Sequence, residues 1–110
     1  MTELLSITQD YVKNHLKTRY ENSKKGDNGI VLVIGGSSLY HGAPLLASLT
    51  ALRAGADLVY TAVPRIIINA IRSYSPNIIA LPMTDNSLTI GSENRLTKSL
   101  PKIPHAATIG

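Results

Sequence analysis

Apolar and polar positions divide the chain into alternating segments. Ile30 to Ile34 is an unbroken apolar run rich in β-branched residues, the pattern of a strand buried on both faces of a parallel sheet. Ala43 to Ala54 follows as a helix. Pro44 lies in its first turn, where proline is tolerated, and Gly55 lies where helices stop. Its Leu and Ala residues cover nearly the whole circumference, which predicts a helix buried all round. Leu58 to Val63 reads as a second strand ended by Pro64, and Ile66 to Tyr74 as a short helix. The three successive isoleucines of that segment fit a helix or a strand. Ser75-Pro76 breaks it, and Ile78 to Leu81 is a third strand. Residues 82–91 form a loop with room for a short strand at Leu88 to Ile90. Ser92 caps a helix running to about Leu100, and Ala106 to Ile109 is a fourth strand. Ahead of these, Ser6 to Tyr20 reads as a helix with Ser6 and Gln9 as a capping box or Thr8 as the cap. Tyr11, Val12, His15, Leu16 and Tyr20 fall on one of its faces. A charged loop, ENSKKGDN, joins it to the first strand.

Strands alternating with helices imply an α/β fold, an open parallel sheet with flanking helices in three Rossmann-like layers. In such sheets ligands bind beyond the carboxyl ends of the strands. Those ends are Gly35-Gly36, Val63-Pro64-Arg65 and Gly110.

The chain has 110 residues, the size of one domain. There is no cysteine, which removes disulfides and thiolate metal sites. The net charge is +4, but residues 29–83 carry only Arg53, Asp57, Arg65 and Arg72 as charges. With no basic stripe interleaved with aromatics, nucleic acid is not expected as a partner. No apolar run approaches a membrane span and no signal peptide is seen, so a cytoplasmic protein without a membrane partner is expected.

The chemistry-bearing stretch is VLVIGGSSLYHGAP, residues 31–44. It is not a phosphate-binding P-loop, because Ala43 and Pro44 follow Gly42 where that motif needs Lys and Ser or Thr. Nor is it the G-x-G-x-x-G dinucleotide fingerprint, since its glycines are at 35, 36 and 42 and the acid Asp57 opens its strand instead of ending it. Arg65 stands at the end where a 2′-phosphate would be read. Paired glycines allow close backbone approach, Ser37 and Ser38 offer hydroxyls, and the following helix offers free N–H groups, less the one that Pro44 removes. The loop therefore suits an anionic or amide-bearing ligand; a tight turn with glycines for packing alone is the competing reading. Among single residues, His41 reads first as a solvated loop histidine and second as a ligand to a phosphate. Tyr40 fits stacking on a nicotinamide or ribose as well as packing. His15 and His105 read as structural, Lys25 as a solvated lysine, and Arg53 as snorkelling or pairing with its helix's last carbonyls.

Lys25-Gly26, Gly29, VLVIGGS, Tyr40, Gly42-Ala43-Pro44, ALRAGADLV at 51–59 and Pro64 together resemble the ADP- or ATP-dependent NAD(P)H-hydrate dehydratases, a family with a ribokinase-like fold. The similarity runs from about Val12 to Gly110. The family has His-Lys-Gly where this chain has Lys24-Lys25-Gly26. The resemblance implies a metabolite-repair lyase that dehydrates hydrated NADH or NADPH, with ADP or ATP and Mg2+ as cofactors. It places the hydrated dinucleotide at Gly35, Gly36, Ser37, Tyr40, Gly42, Ala43 and Gly110, with Ala43 the foremost contact. Ile109-Gly110 resembles the start of the family's second glycine-rich loop. The family's catalytic Asp and phosphate anchor have no counterpart here, and Asp57, Asp85 and Glu93 do not replace them. No catalytic or metal-ligating residue is therefore assigned. Residues 1–110 are expected to be the N-terminal part of a single, incomplete ribokinase-like domain, inactive alone and partnered by a C-terminal half or a further copy as a homo-oligomer. The alternative is a stand-alone nucleotide-binding or regulatory module.

Overall fold

The computed structural model describes residues 3–84, 86 and 88–110. Its centre is a four-stranded parallel sheet in the order β3-β2-β1-β4, built from β1 (Ile30–Ile34), β2 (Leu58–Pro64), β3 (Ile79–Met83) and β4 (Ala106–Ile109). The helices are α1 (Gln9–His15), α2 (Gly42–Ala54), α3 (Ile68–Tyr74), preceded by a 3-10 turn at Arg65–Ile67, and α4 (Ile90–Ser99).

The central pair β1 and β2 divides its side chains between two cores, as a period of two requires. Ile30, Leu32, Ile34, Leu58, Tyr60 and Ala62 point to one face and meet Met83 and Leu96 of α4. Val63 belongs to the other face, with Leu45 of α2 and Ile67, Ile68 and Ile71 around α3. So α2 and α3 cover one face and α4 covers the other, giving the three layers expected. The chain thus changes face between β3 and β4, and the carboxyl ends of β1 and β4 flank the switch point.

Several expected boundaries shift, each for a physical reason. The first helix is shorter than Ser6 to Tyr20. Thr8 caps it, its hydroxyl accepting from the Tyr11 amide at 3.1 Å, and Leu16 is already extended. None of its residues is buried, and a short helix without tertiary packing does not propagate. α2 is not buried all round: Pro44, Leu45 and Ser48 face the sheet, while Leu46 is 66% exposed. Gly55 closes it at φ 113° in a Schellman motif, with its own amide on Leu52 and the Ala56 amide on Ala51. The three isoleucines resolve as a 3-10 turn passing into a helix; Ile67 and Ile68 turn inward and Ile66 outward. β3 runs on through Pro82 to Met83, beyond the expected end at Leu81. It is the sheet edge, where a residue without an N–H costs no ladder bond. The expected strand at Leu88 to Ile90 is replaced by the start of α4. Thr89, not Ser92, is the cap, and Ser92 is its reciprocal partner three residues on.

Candidate functional site

The loop after β1 is shaped by its glycines. Gly35 is buried, with its amide on the Ala62 carbonyl at 3.2 Å. A Cβ there would lie 2.8 Å from the main-chain oxygen of Gly110, so β1 and β4 meet closely at their carboxyl ends. The Gly110 amide bonds the Ile34 carbonyl at 3.0 Å, which holds the two ends together. Gly36 has φ +85°, and a Cβ on it would meet Ile67 Cδ1 at 2.8 Å and the Tyr40 carbonyl oxygen at 3.1 Å. Only glycine fits there without displacement.

Ser37 spends its polar groups on the loop itself. Its amide donates to the Tyr40 carbonyl at 2.9 Å, and its Oγ accepts from the Leu39 and Tyr40 amides at 3.3 and 3.2 Å. Beyond this turn Ser38, Tyr40 and His41 are exposed, and Tyr40 reaches 72%. Its ring therefore projects outward instead of packing in the core. His41 stands at the cap position of α2 without a side-chain capping bond.

The first turn of α2 opens directly onto this loop. Its leading amides have no carbonyl four residues back, and Pro44 has no N–H. That leaves the Gly42 and Ala43 amides as donors with no acceptor among the described residues, next to the positive end of the helix dipole. A Cβ on Gly42 would meet nothing within 4 Å, so packing within the chain does not call for a glycine there. Gly35, Gly36, Gly42 and Ala43 thus lie on the turn after β1, and Gly110 lies against Gly35 at the end of β4; this is the switch point, whose crevice is where open α/β sheets hold ligands. Ser37 supports the crevice from within, and Tyr40 stands at its outer margin.

Sequence reasoning missed three polar arrangements. Asp57, at the amino end of β2, accepts from the Gly26 and Asn28 amides, each at 3.0 Å, and from Asn28 Nδ2 at 3.1 Å. Arg19 pairs with the same carboxylate at 3.3 Å and donates to the Gly55 carbonyl. The Asn28 amide most of all, helped by the Gly26 amide, the Asn28 side chain and Arg19, holds this carboxyl below its ordinary range, against some desolvation. Asp57 is a clamp on the linker, far from the crevice. His105 likewise lies at the amino end: its Nδ1 accepts from the Ile30 amide at 3.0 Å while its own amide bonds Ile30 O at 2.8 Å. The third arrangement is a cleft of about 230 Å3 beside α4, where Arg95 donates to Thr84 Oγ1 at 2.7 Å. Gly26 before β1 and Gly55 before Asp57 were the available hints for the clamp; nothing local marks the cleft. No three His, Asp or Glu residues gather at metal-binding distance among the described residues, and Asp85 lies outside them. No described helix is long and apolar enough to cross a membrane.

The sheet order and the face switch define a three-layer α/β domain. The comparisons carry this to a family. The pattern of the NAD(P)H-hydrate dehydratases matches residues 31–106, and the chain belongs to that family. It is 51% identical over 105 residues to an ADP-dependent (S)-NAD(P)H-hydrate dehydratase of Nitrosopumilus maritimus (strain SCM1), covering 96% of this chain and 37% of that protein. It is 44% identical over 87 residues to an ATP-dependent (S)-NAD(P)H-hydrate dehydratase of Pediculus humanus subsp. corporis, covering 78% of this chain and 27% of the relative. Among solved structures, that of hypothetic protein SMU.573 from Streptococcus mutans superposes with TM-score 0.73 at 31% identity, covering 96% of this chain and 36% of the other. The chain thus spans between 27% and 37% of the length of these relatives.

Proposed function

We propose that residues 1–110 are the N-terminal, substrate-holding part of a single ribokinase-like domain that dehydrates hydrated NADH or NADPH at the expense of ADP or ATP. The observation that carries this is the pair of acceptor-free amides at Gly42 and Ala43, on the turn whose Gly35 lies against Gly110 at the switch point. Two parallel N–H donors at a helix start suit a phosphate or carboxamide oxygen of a dinucleotide. Gly35 and Gly36 let the backbone approach it, Ser37 holds the turn in shape, and the exposed Tyr40 ring supplies a face for stacking. The nucleotide's phosphoryl group would activate the added hydroxyl as a leaving group. The described residues offer no ligand set for Mg2+, so no step is assigned to a metal here. Of titratable side chains they place Tyr40 and His41 at the turn, both exposed, and this reading gives the chain the binding and orienting of the substrate.

The test is a titration of the 110-residue chain with hydrated NADH, followed by amide NMR, together with a turnover assay for NADPH recovery from hydrated NADPH with ADP and Mg2+. Shifts confined to residues 35–43 and Gly110, with no turnover, are expected. Shifts elsewhere, or turnover above background, would refute the assignment of roles.

A further inference from the structure

Arg65 follows β2 directly, on the carboxyl side of the sheet, and is exposed. Its guanidinium has no hydrogen-bond or ion-pair partner among the described residues. It lines the cleft described above together with Met83 and Thr84 at the end of β3 and Ser92, Arg95 and Leu96 of α4. Arg95 is held on this cleft by its bond to Thr84 Oγ1, and no described lining residue is acidic. The nearest described acid in sequence is Glu93, exposed on α4. An electropositive recess of this size admits a phosphate group, and a planar guanidinium matches phosphate oxygens in a two-pronged contact.

Arg65 also opens the 3-10 turn that packs against the glycine loop. Ile67, two residues after Arg65, is the side chain against Gly36. In a sheet ordered 3-2-1-4 the end of the second strand lies beside the glycine turn of the first, where dinucleotide folds meet the adenosine ribose. An arginine there accommodates a 2′-phosphate. The geometry points to Arg65, in the cleft that Arg95 also lines, as a site for the 2′-phosphate of the hydrated NADPH. That would make it the determinant separating the phosphorylated from the non-phosphorylated substrate. This assignment rests on the proposed function for the identity of the dinucleotide, but the phosphate site itself can be probed alone.

The experiment titrates the 110-residue chain with adenosine 2′-phosphate, adenosine 5′-phosphate and adenosine, by calorimetry and by the side-chain N–H signals of its arginines. Adenosine 2′-phosphate should bind more tightly than the other two and move the Arg65 and Arg95 signals. Arg65→Gln should cost that preference about tenfold or more, the range of a lost charge-assisted hydrogen bond; Arg65→Lys should keep part of it. Because Arg65 is exposed and unpaired, both variants should fold as the parent does, which circular dichroism checks. Equal binding of the three ligands, or a preference that survives Arg65→Gln, overturns the site. NADH, which lacks the 2′-phosphate, separates this from the glycine-turn reading. If it fails to move the Gly42 and Ala43 amides while the 2′-phosphate response persists, the proposed function fails and the phosphate site stands.

Discussion

Ser48 and Thr61 are both fully buried and their hydroxyl oxygens are 2.6 Å apart. Ser48 also donates to the Pro44 carbonyl at 2.7 Å, so Thr61 is left to donate to Ser48. This pair ties the first turn of α2, which carries the donor amides, to the middle of β2. Ser48→Ala should therefore destabilise the fold by about 1–3 kcal/mol, the cost of a buried hydroxyl left without its partner. Adding Thr61→Val should return most of that loss. Urea unfolding of the two single variants and the double variant measures the coupling; additive losses would show that the hydroxyls act independently. Little of this was legible in the sequence. A serine in a Leu/Ala helix has no mark of its own, and its partner is thirteen residues away on another element. The glycine turn after β1 was legible, but not the division of labour within it. Gly36 is demanded by its φ of +85° and by Ile67, whereas Gly42 faces open space, and both are the same letter in the chain.

At the scale of elements, order and type were read from periodicity, while boundaries followed packing that the sequence does not display. α1 ends early because its apolar stripe finds nothing to cover it, and α4 begins at Thr89 because both partners of a capping box must meet. The linker between α1 and β1 looked like a plain charged loop, yet Asp57 gathers it. Its carboxyl is held below the ordinary range. The unfolded value is about 3.9, and the folded value is lower. The carboxylate's contribution to stability is therefore complete above the unfolded value and is lost as pH falls through the lowered folded one. Asp57→Asn should accordingly be less stable than the parent by a constant margin near neutral pH, with the gap closing below about pH 4. Thermal melts of both proteins across pH 2.5–7 would test this. A gap that persists unchanged at the acid end would mean that the charge of Asp57 contributes nothing.

The whole molecule exposes more surface than its mass calls for. It presents 8129 Å2 to solvent at 11.8 kDa, where a self-contained domain of that mass would present about 5,900 Å2. Its radius of gyration is 15.6 Å, against about 13 Å for a compact chain of this length. The surplus has identifiable sources. Every residue of β4 is exposed, Ile109 at 66%, and no described strand pairs with its outer edge. Leu46 on the outer side of α2 and Leu16 beyond α1 add large apolar groups, at 66% and 70%. Each large side chain of this kind forgoes about 1.5–3 kcal/mol that burial would return, against a net stability of about 5–15 kcal/mol for a typical domain. An unpaired parallel edge next to such groups is a template for another strand. The purified 110-residue chain should therefore associate at micromolar concentration, and Ile109→Lys, which puts a charge on the open edge, should shift it toward monomer. Sedimentation equilibrium over a hundredfold concentration range measures both. A chain that stays at 11.8 kDa throughout and melts cooperatively well above ~60 °C would be stable without any partner on this edge. The proposal that it is one part of a larger domain would then lose its energetic basis.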